Sequence, residues 1–316
     1  MIEASATEFE RHRQFLTGLA YRMLGSLADA QDIVQEAFLR WHDGAGTDVA
    51  TPRAWLARVV TRLCLDAMKS ARVRRESYVG PWLPEPIVER LEAFDPVSAD
   101  DHVAAPVALM LLLERLSPLE RAAFILHDLL DMEFSEIASA LDRSEAACRQ
   151  LVVRAREHVG EPKRRFDIDR DEAVRVATAF FDALRTGNAV VLRDLLAEAA
   201  TFHSDGGGKV QAALQIIVGA DKIGRFVVGH AKKHGLMTLP WSRPLWINGL
   251  PGYVSIDPVG NVQTTALEIV DGKIVAVYVV RNPDKLAGAA AFVAACSRPA
   301  AHRDWVGTGY PPPAGS

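Results

Sequence analysis

The sequence predicts two all-α units, the second carrying a helix-turn-helix, followed by an α+β unit. Three observations lead there. Apolar residues recur at helical spacing through roughly the first 160 positions, with a tight Leu141-Asp142-Arg143-Ser144 junction between two short amphipathic stretches. Prolines 81, 84, 86 and 96 sit among acids between Ser77 and His102 and forbid a continuous helix there. Beyond Leu245 the helical period gives way to strand-like alternation around an Asp271-Gly272 hairpin signal. The boundaries that follow are helical 1–76, linker 77–105, helix-turn-helix 106–162, α+β 168–286 and a flexible tail 287–316.

A first helix from about Thr7 buries Phe9, Phe15, Leu16, Leu19, Ala20 and Met23 and stops at Gly25. The next, Asp29 to Trp41, sets Ile33, Val34, Ala37, Phe38 and Trp41 on one stripe. Asp29, Asp32, Gln35, Glu36 and Arg40 form its outer face, which plain solvation would explain equally well. After a loop, Asp43 to Thr51, Pro52 opens a long helix that buries Trp55, Leu56, Val59, Val60, Leu63 and Ala67. Its other face is basic, with Thr61 and Arg62 beside it. Within the linker a short turn is expected at Val88 to Ala93.

Two helices, Val107 to Arg115 and Pro118 to Leu130, precede the helix-turn-helix; Ser117 caps the second and Glu120 favours its first turn. In the helix-turn-helix, Ile137, Ala138 and Leu141, then Ala147, Leu151, Val152 and Ala155, make the apolar faces. Ser144 caps the second helix. Glu145, Arg149 and Arg156, with Gln150 and Arg154 at the edge, stay outside, as side chains that reach base edges and phosphates must. An ordinary hairpin with a wet basic face fits this segment alone about as well.

A net charge of −4 argues against a simple nucleic-acid binder, but the charges are segregated. Basic groups gather at 53–75 and 143–165, acidic ones at 29–36 and 85–101, so one face suits DNA and another a basic protein. No apolar run approaches the roughly 18 residues of a membrane span, and a cytoplasmic location without membrane contact is expected. Cys64, Cys148 and Cys296 lie far apart and read as reduced, partly buried thiols, with no metal or cofactor implied.

In the second half, helices at Glu172 to Arg185, Ala189 to Glu198 and Ala220 to His234 are interleaved with strands at Thr201 to His203, Leu245 to Asn248, Tyr253 to Ile256, Gln263 to Val270 and Lys273 to Val280. His203, Asp205 and Lys209 form a candidate acid/base cluster near Trp241, Trp246, Tyr253 and Tyr278, although too few polar groups converge to favour catalysis.

The blocks DAQDIVQEAFLRW (29–41), TPRAWLARVVTRLCLD (51–66), LSPLERAAFILHD and FSEIASALDRSEAACRQLVVRAR closely resemble the bacterial extracytoplasmic-function sigma factors. The resemblance implies that Asp29, Asp32, Gln35 and Glu36 grip core RNA polymerase. It implies that Thr61, Arg62 and Asp66, with the 43–51 loop as base pocket, read and melt a minus-ten promoter element. Ser144, Glu145, Arg149 and Gln150 would read minus-thirty-five bases, with Arg143, Arg154 and Arg156 on phosphates. The Pro118 to Asp128 helix would lie on the polymerase flap. Many family members carry an Asn near Thr61 or Arg62, which is absent here.

Three further motifs, Trp82-Leu83-Pro84-Glu85-Pro86, Asp205-Gly206-Gly207-Gly208-Lys209 and Asn282-Pro283-Asp284-Lys285-Leu286, resemble a subgroup in which a SnoaL-like, cone-shaped α+β domain is fused behind the sigma half. That resemblance implies control in cis, through contact between the fused domain, the linker and the sigma domains. The expected function is promoter recognition and initiation without catalytic residues. The alternatives are a dimeric helix-turn-helix repressor, and a SnoaL-like hydrolase, isomerase or small-molecule sensor with a DNA-binding appendage.

Overall fold

The computed structural model describes residues 2–45, 49–76, 78–90, 103–159, 170–234, 239 and 241–297. These fall into two compact units: residues up to 76 with 103–159, and residues 78–90 with those from 170 onward. The segment following the first helices thus folds with the C-terminal unit.

In the first unit α1 (Ile2–Leu24) ends at Gly25, whose φ of 71° turns the chain. Ser26 then caps α2 (Leu27–Arg40) by accepting from the Asp29 N–H at 3.2 Å. A wider π-type turn, Trp41–Ala45, follows; of the expected 43–51 loop, residues 46–48 lie outside the described residues. Helix α3 spans Pro52–Glu76. Phe9, Leu16, Leu19, Val34, Leu56 and Val60 are buried together as the helical period requires.

Helices α4 (Val107–Leu113) and α5 (Pro118–Phe124) follow, and α5 runs on as a π-type turn, Ile125–Leu129. Ser117 and Glu120 form a capping box at the start of α5. The helix-turn-helix is α6 (Phe134–Leu141) and α7 (Glu145–Val159), with Asp142 at φ 55° making the left-handed turn. Its buried set is Ile137, Ala140, Leu141, Cys148, Leu151, Val152, Ala155 and Val159, so Ala138 and Ala147 are rotated outward from the expected faces. Arg121, 2% exposed, ties α5 to α1 and α4 by donating to the Met23 carbonyl at 2.8 Å and pairing with Glu114 at 2.7 Å. Burial pulls its pKa down to about 10.

The second unit holds β1 (Val88–Glu89), α8 (Arg170–Thr186), α9 (Ala189–Leu195), β2 (Leu196–Asp205), β3 (Ile217–Val218), α10 (Ala220–His234), β4 (Trp241–Ile247), β5 (Leu250–Ile256), β6 (Val262–Val270), β7 (Lys273–Val280) and α11 (Ala287–Ser297). One sheet runs β1-β4-β5-β6-β7-β2-β3, antiparallel except where β2 lies parallel to β7. Phe180, Phe202, Leu267 and Val277 are among the core residues where α8, α9 and α10 cover it. Asp271 and Gly272, at φ 50° and 71°, make the expected hairpin.

Two expectations fail. Of the turn expected at Val88 to Ala93, residues 91–93 lie outside the described residues, while residues 88–89 add an edge strand to β4, because the Asn248 amide and N–H exchange hydrogen bonds with Ile87 and set the register. In place of a flexible tail from 287, residues 287–297 form a helix that buries Ala289 and Val293; residues 298–316 lie outside the described residues. Cys296 is exposed on this helix, while Cys64 and Cys148 are buried, and burial raises the pKa of both buried thiols.

Candidate polymerase and DNA surfaces and the linker clasp

Helix α2 presents Asp29, Asp32, Gln35 and Glu36 exposed on one side, with Leu39 49% exposed beside them and Glu36 paired to Arg40 at 3.0 Å. A row of acids around an exposed leucine offers charge for steering and an apolar spot for burial, the makings of a protein contact.

The residues expected to read promoter DNA divide. Asp66 is exposed and paired with Lys69 at 2.7 Å, a contact that holds its carboxyl below the usual range. Thr61 was expected beside the basic face, yet it is fully buried and its hydroxyl has no hydrogen-bond partner. Helix α3 packs on α1, α2, α5 and α6, and Thr61 lies on its covered side with Ala57, Val60 and Cys64. At the α3–α6 junction Arg58 donates to the Ser139 hydroxyl at 3.2 Å, and Arg62 donates to the Ser139 and Ala140 carbonyls, both at 3.2 Å. These carbonyls lie in the last turn of α6, where the helix dipole favours a cation.

On the helix-turn-helix, Arg143, Ser144, Glu145, Arg149, Gln150, Arg154 and Arg156 are all exposed. Ser144 caps α7 by accepting from the Ala147 N–H at 3.2 Å. Arg149 pairs with Glu145 at 2.7 Å and lies over the Phe134 ring. Arg154 reaches Glu120 at 3.1 Å and Arg156 reaches Asp128 at 2.6 Å, so acids of the α5 stretch hold two of the expected phosphate contacts. The Ser117 hydroxyl, more than Arg154, keeps the Glu120 carboxyl ionised to lower pH than usual.

The three motifs of the second unit meet at one carboxylate. Asp205, at the end of β2, is 0% exposed. Its Oδ1 accepts from the Tyr78 hydroxyl at 2.5 Å and the Gly207 N–H at 3.0 Å, and its Oδ2 from the Leu83 N–H at 2.9 Å and Lys285 Nζ at 2.8 Å. Lys285 also donates to the Leu83 carbonyl at 2.6 Å and sits over the Tyr78 and Trp82 rings. Asn282 donates to the Tyr78 oxygen at 2.8 Å and caps the short 3-10 turn Pro283–Lys285. Burial first, and the Asp205 hydrogen bond second, raise the Tyr78 pKa.

The glycines let the chain come this close. Gly207 has φ 59°, and a Cβ there would stand 2.3 Å from the Asn282 amide; Gly206 lacks positive φ but leaves no room either, with the Val210 oxygen at a clashing distance. Lys209 and Asp284 close the outside with an exposed ion pair. Leu83, Pro84, Glu85 and Pro86 are buried, Trp82 half-buried, and Leu286 is 3% exposed. The 78–89 segment is thus clasped to the sheet by one buried ion pair and a fan of directed hydrogen bonds.

The acid/base cluster does not assemble. His203 bonds Thr201 and lies against Tyr278, Asp205 is taken up by the clasp, and Lys209 pairs with Asp284. One cavity of this unit, bordered by Phe180, Phe202 and Phe226, is lined by none of Trp241, Trp246, Tyr253 or Tyr278. Tyr78, Asn248 and Arg121 escaped the sequence reading. Only Asn248 carried a local signal, since Asn248-Gly249 is a tight-turn pair, here at φ 52° and 73°.

Residues 9–74 match the sigma-70 region 2 family and residues 107–159 match sigma-70 region 4. The ECF RNA polymerase sigma factor SigJ of Mycobacterium tuberculosis (strain ATCC 25618 / H37Rv) is 42% identical over 298 residues, covering 89% of this chain and 93% of that protein. The probable ECF RNA polymerase sigma factor SigI of Mycobacterium tuberculosis (strain CDC 1551 / Oshkosh) is 32% identical over 284 residues, 87% of this chain and 92% of its own. The crystal structure of the Mycobacterium tuberculosis extracytoplasmic function sigma factor SigJ superposes with a TM-score of 0.73 at 39% identity, covering 90% of this chain and 98% of that one. A likeness of this extent, running through both units, makes the chain a member of the ECF RNA polymerase sigma factors, the dissociable subunits with which RNA polymerase starts transcription.

Proposed function

We propose that this sigma factor is controlled in cis: its C-terminal unit holds the 78–89 segment fast, and its DNA-reading helices start from a closed arrangement. The observation that carries the reading is the α3–α6 junction. Arg62, an expected minus-ten contact, spends its donors on α6, and Thr61 beside it is buried. Elements about 25 base steps apart span roughly 85 Å of duplex at about 3.4 Å per step, which α3 and α7 cannot bridge while α3 rests on α6. Initiation therefore requires the junction to open. The clasp bears on this because the chain between α3 and α4 passes through it, so the slack available to separate the two helical regions is set by where residues 78–89 are fastened.

In the open form, the α2 acids would meet polymerase, Arg62 and Asp66 the minus-ten strand, and Ser144 to Gln150 the minus-thirty-five groove, with Arg143, Arg154 and Arg156 turning from their acids to phosphates. Run-off transcription with purified core polymerase tests this, comparing the full chain with Asp205→Asn and Lys285→Met. The reading expects initiation by the full chain and altered activity, by several-fold, from both clasp variants. Unaltered transcription from two folded variants would refute control through the clasp.

A further inference from the structure

Helix α10 of the second unit turns Asp221, Lys222, Arg225, Gly229, Lys232 and Lys233 to solvent, while Ile223, Val228 and Ala231 are buried beneath them. At about 100° per residue these exposed positions fall in one stripe about 120° wide, with Gly229 near its middle. The cations from Lys222 to Lys233 are set along about 16 Å of helix axis, the length of about five base steps of a duplex strand.

These cations are uncommitted. Among the described residues Lys222, Arg225, Lys232 and Lys233 make no ion pair, whereas on α7 Arg149, Arg154 and Arg156 are each held by an acid. The elements packed on α10 spend their own acids elsewhere: Glu172 and Asp182 of α8 pair with Arg175 and Arg185, Asp194 of α9 pairs with Arg193, and Asp205 of β2 belongs to the clasp. Asp171 lies in the first turn of α8. Glu198 of β2 is exposed near Gly219, just before α10, and Asp221 opens α10 itself, where the helix dipole favours an anion. Glu198 and Asp221 thus sit at the amino-terminal end of the stripe, and Arg225, Lys232 and Lys233 continue beyond them.

Solvation alone would account for the lysines, but not for the glycine. A glycine inside a helix is destabilising relative to alanine, and a Cβ built at Gly229 meets nothing within 4 Å, so no described neighbour requires it. A bare position in the middle of a basic stripe lets the helix backbone come close to an extended ligand.

We propose that the α10 stripe binds the phosphate backbone of duplex DNA without reading its sequence. The stripe exposes no apolar side chain, and lysines are depleted from the cores of protein interfaces; the acidic face of α2, with Leu39 beside it, has the opposite character. Tethering supplies the rest. Helix α7 ends at Val159 and α8 begins at Arg170, and residues 160–169 between them reach at most about 40 Å even when fully extended. With the helix-turn-helix on promoter DNA, the second unit stays beside the same duplex at high effective concentration, so a weak contact still adds affinity. The proposal rests on the chain working at promoter DNA through α7, and not on control through the clasp.

The test measures binding of the full chain to a fluorescent mixed-sequence duplex of about 30 base pairs by anisotropy, between about 50 and 300 mM salt. The combined variant Arg225→Gln, Lys232→Gln and Lys233→Gln is expected to raise Kd at least tenfold near 100 mM salt. It should also lower the slope of log K against log salt by about 2 to 3, at about 0.9 per phosphate contact, with the thermal transition kept. Gly229→Glu, which sets a carboxylate in the middle of the stripe, is expected to weaken binding several-fold. Arg175→Gln, an exposed cation on α8, should leave the slope unchanged. An unaltered slope in the combined variant, or one lowered equally by Arg175→Gln, would overturn the proposal. So would variants that weaken capture by core polymerase and leave DNA binding intact, since the occupant would then be an acidic protein. Such a failure leaves the cis-control reading standing, because that reading is tested by transcription with the clasp variants.

Discussion

The α3–α6 junction and the Asp205 clasp join parts of the chain distant in sequence, and they are built from opposite materials. At the junction two half-exposed or exposed arginines reach neutral acceptors, each at 3.2 Å, and a threonine hydroxyl is left buried without a partner. At the clasp a fully buried carboxylate is surrounded by four donors between 2.5 and 3.0 Å, with a lysine whose charge it neutralises. Exposed contacts to neutral groups add little because water competes for both ends, while a buried charge that loses its partner has nowhere to go. On the proposed reading, the junction is the contact that yields and the clasp the one that persists.

The comparison is broken most severely at Asp205. Asp205→Asn removes the carboxylate that neutralises the buried Lys285 charge, and should lower the stability of the second unit by about 3–5 kcal/mol, read as a shift in its thermal transition and as lost protection of the Leu83 amide in hydrogen exchange. Gly207→Ala comes next, at about 1–3 kcal/mol in the same assay, since its φ is positive and its new Cβ meets Asn282.

At the junction the effects shrink and one reverses sign. Thr61→Val removes the unpartnered hydroxyl at nearly constant shape and should be neutral or stabilising by up to about 1 kcal/mol in chemical denaturation of the free protein. Arg62→Ala should cost less than about 1 kcal/mol of stability in the same measurement. The smallest effect is a pH dependence. Burial lowers the His203 pKa from 6.5, so the unfolded chain takes up a proton that the folded chain resists. Stability should fall modestly as the pH drops below about 6.5, and His203→Gln should flatten that slope in pH-resolved thermal melts.

What the sequence disclosed follows the same division. Helices were legible because their apolar stripes and caps are local: Ser26, Ser117 and Ser144 each sit where the first free N–H groups need an acceptor. The three motifs of the second unit were legible as words, and their meeting at Asp205 makes sense of why Asp205, Gly207 and Lys285 occur in them. Tyr78, which donates to Asp205 across 127 positions, was not, because a lone tyrosine carries no local signature. Thr61 was placed beside the basic face because its polar type suggested the outside, whereas it is fully buried, as Ala57, Val60 and Cys64 are. The helix at 287–297 was missed because its alanines look like a spacer until Ala289 and Val293 find a surface to bury against. Arg281 and Asp257 lie just past the ends of β7 and β5, on either side of β6, and only the sheet order brings them together.

Control in cis, as proposed, requires the junction to open when the protein works. The direct measurement is single-molecule energy transfer between dyes at Lys69→Cys on α3 and Gln150→Cys on α7, in a Cys296→Ser background. Cys64 and Cys148 are buried and escape labelling. The free protein should show one short distance, and the holoenzyme on promoter DNA a distance longer by tens of Å. A holoenzyme that transcribes while the dyes stay at the free-protein distance would contradict the account.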